Sequence, residues 1–243
     1  MESVFSWKNN QSCVIIGKGP SILKTNPDYI NSFTDTIICN KPVWGRYEKY
    51  IPKKARIQFT NNSTDRFTED EIKELGLQEI ISSAYPGEQL DLPEYYHRLV
   101  KINYPDLELG PNESISVKTS SGKTFSPSTG IQAFKYVIES GKYEKIAMVG
   151  FDLLTKGDRM YYFEPDEIQS NLDYLFHNGT YKEEGFIYNQ ENGHDHHALE
   201  YIMEKIENSP SVSFEFTTTS DVLVDALKNF KNVSFIESVY NDN

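Results

Sequence analysis

Cysteine is scarce. Cys13 and Cys39 are the two in 243 residues, too few for a disulfide framework. Each sits in an apolar, strand-like run, which predicts buried free thiols in a reducing compartment. No apolar run approaches the roughly 18 residues of a membrane span, and Met1 to Asn10 lacks the long apolar core of a signal peptide. Basic clusters are missing too. Lysine and arginine number 24 against 36 aspartates and glutamates, a formal charge of −12 with a pI near 4.9. Such a surface repels phosphate backbones, so no nucleic-acid partner is expected. These absences point to a cytoplasmic protein, with peripheral membrane contact and oligomer formation left open. With 38% hydrophobic and 25% charged residues, 14 glycines and 11 prolines, the composition excludes a disordered or fibrous chain. Aromatics are plentiful instead: 16 Tyr and 14 Phe suit the binding of rings and hydroxyls, and suit a large core equally well.

Along the chain, strand and helix patterns alternate. Cys13-Val14-Ile15-Ile16 is a short apolar run ended by Gly17 and reads as a buried strand. Thr36-Ile37-Ile38-Cys39 and Ala55-Arg56-Ile57-Gln58-Phe59 read likewise, each followed by Asn-rich polar residues, and Glu79-Ile80-Ile81 is a weaker fourth. Residues 85–125, rich in Pro, Gly, Ser and Tyr, read as an irregular insertion or lid outside the core. From Ser128, hydroxyls that can cap a helix precede Ile131, Phe134, Val137 and Ile138 at helical spacing, stopped by Gly141. Lys145 to Val149 is a strand, and residues 153–193 read as a flexible lid. Ala198, Leu199, Ile202, Met203 and Ile206 mark an amphipathic helix. Val212 to Phe216 and Val233 to Ile236 are strands around a helix carrying Leu223, Leu227 and Phe230. The alternation predicts an α/β fold: a Rossmann-like, doubly wound, mostly parallel sheet with helices on both faces. Residues 1–243 read as a single domain with those two lids.

Two phosphate-loop look-alikes fail. Ser121-Gly122-Lys123-Thr124 ends like a Walker A loop, but the required first glycine falls on Val117. Gly17-Lys18-Gly19-Pro20-Ser21 opens like a dinucleotide fingerprint, but its third glycine would be Ile22, and Pro20 removes an N–H. What stays is a tight turn that brings the backbone close to a ligand at the carboxyl end of a first strand. In His194-Asp195-His196-His197, no histidine pair has the i, i+4 spacing of a zinc helix, and no metal site is expected. Four features should gather on one sheet edge: the Gly17–Ser21 turn, Asn40 after the second strand, Asn61 after the third, and Ser128-Thr129 at a helix start. Asn amides can read a base or ribose edge. A helix start can hold a phosphate or carboxylate.

These residues resemble the bacterial sialyltransferases of glycosyltransferase family 42. The resemblance runs through Val14-Ile15-Ile16-Gly17-Lys18-Gly19-Pro20-Ser21, Ile38-Cys39-Asn40 and Phe59-Thr60-Asn61-Asn62-Ser63. It continues through Ser128-Thr129-Gly130, Val149-Gly150-Phe151-Asp152, Tyr161-Tyr162-Phe163 and Gly193-His194 with Ala198-Leu199-Glu200. It implies a sialyltransferase-type variant of the GT-A fold and an inverting transferase that needs neither metal nor cofactor. The implied donor is a CMP-activated sialic acid or related sugar, and the implied acceptor a glycan. On that resemblance the Gly17–Ser21 turn, Asn40 and Asn61 contact nucleotide and sugar, and Ser128, Thr129 and Gly130 hold the donor. Gly150, Phe151 and Asp152 line the ribose, Tyr161 or Tyr162 binds the leaving phosphate, and His194 is the general base.

The chain departs from the family's pattern in three places. Lys18 stands where the family has Asn, and can pair with the donor's phosphate or carboxylate or mark another donor. The family's first phosphate-binding tyrosine falls near Leu154, with Tyr181 or Tyr188 as substitutes. The shortened spacing from His194 to Ala198 leaves His196 or His197 as alternative bases. A CMP-Kdo-type or other nucleotide-sugar or methyl transferase, and a non-catalytic nucleotide-binding protein, remain as alternatives.

Overall fold

A computed structural model describes residues 11–60, 67–82, 100–102, 117–125, 127–153, 161–163 and 194–237. Eight strands form one sheet: β1 (Ser12–Ile16), β2 (Asp35–Cys39), β3 (Ile57–Thr60), β4 (Glu79–Ser82), β5 (Val100–Ile102), then β8 (Lys145–Val149), β9 (Ser213–Phe216) and β10 (Val233–Phe235). Between them in sequence, β6 (Val117–Lys118) and β7 (Thr124–Phe125) make a separate antiparallel hairpin. The sheet order is β10-β9-β8-β1-β2-β3-β4-β5. Every neighbouring pair in it is parallel. The chain starts in the middle, steps outward to β5, returns to the other side of β1, and steps outward again. The order therefore reverses between β1 and β8, and in open α/β sheets a crevice opens at the carboxyl ends of such strands.

Strands covered on both faces can be continuously apolar, and β1 shows how. Cys13 and Ile15 join the core on one face, Val14 and Ile16 the core on the other. The first face is covered by α3 (Thr129–Glu139), α4 (His194–Glu207) and α5 (Asp221–Leu227), through Phe134, Ile202 and Leu223. The second is covered by α1 (Pro27–Asn31) and α2 (Glu69–Leu75), through Ile30 and Ile72. Helices thus lie on both faces, as the alternation predicts. Helix α2 went unread in the sequence although its start is signed: the Thr68 hydroxyl accepts from Glu71 N–H and the Glu71 carboxylate from Thr68 N–H, a capping box.

Two expectations need correction. Within 85–125, read as outside the core, β5 extends the sheet beside β4, and Val117 and Phe125 are buried in the first core. Three-residue and two-residue strands carry too little periodicity to be seen. Within 153–193, read as a lid, Tyr162 and Phe163 are fully buried in the second core. Among the described residues no helix is long and apolar enough to cross a membrane.

Among the described residues, one charge is buried completely, at the amino edge of the sheet. Asp35 has no exposed surface, and its carboxylate accepts from Tyr143 Oη at 2.6 Å, Lys142 Nζ at 2.9 Å and the Arg56 guanidinium. Burial alone would raise its pKa. The hydrogen bonds from Tyr143, Lys142 and Arg56 outweigh that and hold the carboxyl below the ordinary range. The carboxylate ties β2 to the residues entering β3 and β8. Its stabilisation is complete above the unfolded pKa of about 4 and fades as pH falls toward the depressed folded value. We expect Asp35→Asn to lower unfolding free energy by about 2–3 kcal/mol at pH 7, since it strands two cations that water still reaches. Urea denaturation at pH 7 and pH 3 checks this, and the variant's deficit should shrink at the lower pH.

Candidate functional site

The crevice at the reversal point is built by continuing the β1–β8 ladder past the strand ends. Gly17 N–H donates to the Val149 carbonyl at 2.8 Å, and Gly19 N–H to the Gly150 carbonyl at 2.9 Å. This close approach needs glycine. A Cβ on Gly17 would lie 2.5 Å from the Gly150 oxygen, and one on Gly19 would strike the Asp152 carboxylate. The space beside the turn's glycines is therefore filled by the loop after β8. The turn's glycines lock backbone to backbone with that loop. On the far side of that loop, a Cβ on Gly130 would lie 2.7 Å from the Phe151 ring, so the start of α3 also presses on it.

Pro20 opens a 3-10 turn, Pro20–Lys24, and Ser21 behind it is fully buried. Ser21 N–H donates to Asp152 Oδ2 at 2.8 Å and Ser21 Oγ to the Thr217 carbonyl at 2.9 Å. Asp152 Oδ1 accepts from Thr219 N–H at 2.6 Å and Thr219 Oγ1 at 3.0 Å. Asp152 thus clamps the β1 turn to the loop after β9. Gly150 (φ +72°) donates its N–H to Thr217 Oγ1 at 3.2 Å. Thr217 and Thr219 were missed in the sequence, although a hydroxyl run (Thr217-Thr218-Thr219-Ser220) directly after a strand is a signal that could have found them.

Asn40 follows β2 in the left-handed region, at φ +57°, the sole non-glycine residue with positive φ among those described. Asn tolerates that region better than most residues, and strain of this kind gathers at functional sites. Its N–H donates to the Phe59 carbonyl at 2.8 Å. Its side-chain amide reaches Thr129 Oγ1 at 3.4 Å, across 89 residues of sequence. Asn40 and Thr129 therefore do converge. Ser128 is the extended N-cap of α3, but its hydroxyl makes no capping bond. The first intrahelical bond is Gln132 N–H to the Ser128 carbonyl, at 3.0 Å. The first-turn N–H groups have no partner within the helix, and with the dipole they favour an anion.

Tyr161, Tyr162 and Phe163 cross near this crevice as a strap. Tyr162 N–H donates to the Lys18 carbonyl at 3.0 Å. Val43 N–H donates to the Tyr162 hydroxyl at 2.8 Å, and that hydroxyl donates to the Val43 carbonyl at 2.7 Å. A buried hydroxyl with both functions met is not available to a phosphate, so the reading of Tyr162 as a phosphate ligand is corrected. Its role is to pin the segment after β2. Tyr161 is only partly buried and stacks on Phe163 at 5.2 Å with an 11° interplanar angle. The Lys18 ammonium lies 5.9 Å from the centre of the same Phe163 ring.

A helix linking two parallel strands runs against them, so α4, between β8 and β9, starts at the carboxyl edge. His194 is its first residue, but the side chains of His194 and Asp195 lie outside the described residues. His197 has a buried Nδ1 with no hydrogen-bond partner among the described residues, and its ring centre lies 6.0 Å from that of Phe125. The Walker look-alike proves to be the turn of the β6–β7 hairpin, docked on α4: Ser120 N–H donates to Glu204 Oε2 at 2.9 Å. Glu200 is held below the ordinary carboxylate range by the Ser121 hydroxyl first, then by Thr119, Lys123 and His197, against the effect of burial.

Asn61, Leu154, Tyr181 and Tyr188 lie outside the described residues. Among those described, no group of three or more His, Cys, Asp or Glu is placed to hold a metal ion. Cys13 and Cys39 are buried free thiols. Burial pushes the Cys39 thiol up to about 12, with the Lys18 charge pulling the other way.

No protein-family model matches this sequence, and no curated protein matches it. Solved structures do. The monofunctional alpha-2,3-sialyltransferase Cst-I of Campylobacter jejuni is 19% identical, with a TM-score of 0.56 over 99% of this chain and 87% of that one. The sialyltransferase CstII of Campylobacter jejuni, in complex with a substrate analogue, cytidine-5′-monophosphate, is 18% identical, with a TM-score of 0.54 over 96% and 88%. A further sialyltransferase CST-II structure, with trisaccharide acceptor and CMP, is 17% identical, with a TM-score of 0.51 over 96% and 89%. This chain shares their fold.

Gly17→Ala tests the backbone lock. Its methyl group meets main chain on the far side, which cannot swing away, so we expect a loss of about 1–3 kcal/mol, read as a lower urea midpoint. An unchanged midpoint would mean that the two backbones do not meet as described.

Proposed function

We propose that the protein is a glycosyltransferase that moves a sialic acid, or a related nonulosonic or ulosonic acid, from a CMP-activated donor to a glycan acceptor. The observation that carries this reading is the meeting of Asn40 and Thr129 beside the β1–β8 lock. It occurs at the carboxyl edge of a sheet whose fold is shared with sialyltransferases, one of them in complex with CMP. The site supplies what such a donor needs. An Asn amide has donors and an acceptor for a base or sugar hydroxyls, and the open start of α3 favours the donor's phosphate or carboxylate.

In the reaction, the bond between the sugar's anomeric carbon and the phosphate oxygen breaks while the acceptor hydroxyl attacks from the opposite face. The configuration inverts in one step. The carbon is tertiary and becomes oxocarbenium-like, so catalysis rests on stabilising the departing phosphate rather than on a covalent nucleophile. The acceptor's proton goes to a histidine in the first turn of α4, with His194 as the first candidate and His196 and His197 as its neighbours. A helix amino end favours neutral imidazole, the form that can accept a proton. Neither a metal nor an organic cofactor is required by this chemistry.

Titration calorimetry with CMP in the presence of EDTA tests the reading. We expect binding without divalent metal, and Asn40→Ala to weaken it by about 1–3 kcal/mol through loss of buried hydrogen bonds. Binding that appears only with a divalent metal, or unchanged affinity in the variant, would contradict the site as drawn.

A further inference from the structure

The amino edge of the sheet holds a cleft that the donor reading does not use. Its volume is about 770 Å³, inside the roughly 300–1,000 Å³ that small-molecule pockets span. Three strand entries and one helix exit meet around it. Gln11 stands before β1, residues 142–144 before β8 and 208–212 before β9, while Val137 and Ile138 lie in the last turn of α3. The strands are parallel, so these segments share one edge. The five residues of β1 set that edge roughly 16 Å from the carboxyl edge, where Asn40 meets Thr129.

The walls of the cleft are held by hydrogen bonds of their own. Glu144 N–H donates to the Gln11 carbonyl at 2.9 Å, and Ser213 N–H to the Glu144 carbonyl at 2.8 Å. The Asn232 amide donates to the carbonyls of Ser209 and Val212, at 3.1 and 3.0 Å, which fixes the turn before β9. Gln11 Oε1 is left over: it is buried and has no hydrogen-bond partner among the described residues. A buried acceptor left unmet is costly, and the open space that its residue lines is this cleft.

The lining narrows the ligand. Val137 and Ile146 are buried in the first core, with Ile138 and Val212 packed on it, so the cleft has an apolar floor. Asn208, Ser209 and Ser211 bring an amide and two hydroxyls. Lys142 and Glu144 add one charge of each sign, and the Lys142 ammonium is already held by Asp35 at 2.9 Å. No net charge draws an ion. The carboxyl end of α3 lies at the cleft, and its partial negative charge favours donors. A molecule with an apolar face, no charge and O–H donors along its edge meets these conditions, and a sugar ring is such a molecule.

We propose that this cleft is a second binding site, for a neutral sugar unit, separate from the crevice at the carboxyl edge. Its link to catalysis rests on the glycosyltransferase reading above: the sugar then belongs to the acceptor glycan, and the cleft holds a stretch of it away from the reacting end.

Amide chemical-shift mapping on the full labelled chain, without any donor, tests the site with two neutral disaccharides, lactose and N,N′-diacetylchitobiose. At about 20 mM sugar, against an expected Kd of about 1 mM, shifts should fall on the amides of residues 11, 141–144 and 208–212. Gln11→Leu should weaken that binding about fivefold. Ser211→Trp, at an exposed position, should abolish it by filling the cleft, with the wild-type urea midpoint kept. Amino-edge amides that stay still with both sugars would overturn the site, as would binding that neither variant changes. Larger shifts there with sodium phosphate or spermidine would overturn the neutral-sugar class. In transfer assays, Ser211→Trp should leave CMP affinity unchanged and raise KM only for a glycan acceptor long enough to reach both edges. An unchanged KM for that acceptor would break the link to catalysis. Sugar shifts at the amino edge of a chain that binds no CMP would keep the cleft and remove the donor reading.

Discussion

Two hydrogen bonds beyond the ends of the strands govern this molecule. Gly17 N–H to Val149 and Gly19 N–H to Gly150 carry the β1–β8 ladder one step past the sheet, at the point where strand order reverses. In an ordinary doubly wound sheet, the loops at this point splay apart. Here the first loop is held against the second, which sets where Lys18, Ser21 and Asp152 stand. Asp152 then ties both loops to a third, after β9. Backbone contacts rather than mobile side chains hold these loops together. Preorganisation of this kind lowers the ordering cost of binding a ligand.

The same economy appears in how the fold treats its buried polar groups. At the amino edge Asp35 collects three donors from residues far apart in sequence. At the carboxyl edge Asp152 accepts from Ser21, Thr218 and Thr219. Tyr162 has both functions of its hydroxyl met by a single residue, Val43. A buried polar group left unmet costs more than a met one contributes, so such groups fix loops in single positions. Among the described residues the exceptions are spread over the fold. They include the Oε1 atoms of Gln11 and Gln132 and the buried Nδ1 of His197.

The sheet was legible in the sequence because parallel strands covered on both faces are short, uninterrupted apolar runs. Helix α3 was legible because hydroxyls precede it and Gly141, at φ +61°, follows it. The convergence of Asn40 with Thr129 was legible too, since strand ends and helix starts share an edge by topology. What stayed hidden depends on partners distant in sequence. Tyr162 looks like any solvent-facing tyrosine until its hydroxyl is seen between two main-chain groups 119 residues earlier. Strand β5 and the β6–β7 hairpin are too short to show a period. The loop that presses on the β1 turn stayed hidden too, because a sequence records the absence of a Cβ and not what fills the gap. Helix α2 is a different case, since its Thr68–Glu71 capping box stands plainly in the sequence.

Amide chemical-shift mapping tests most directly the claim that this edge is where the nucleotide sits. With the full chain isotopically labelled and CMP titrated in EDTA, the largest shifts should fall on the amides of 17–19, 40, 129–131 and 150–152. Those at the amino edge, around Asp35 and Tyr143, should stay still. Shifts centred on the amino edge, or none at saturating nucleotide, would contradict the account.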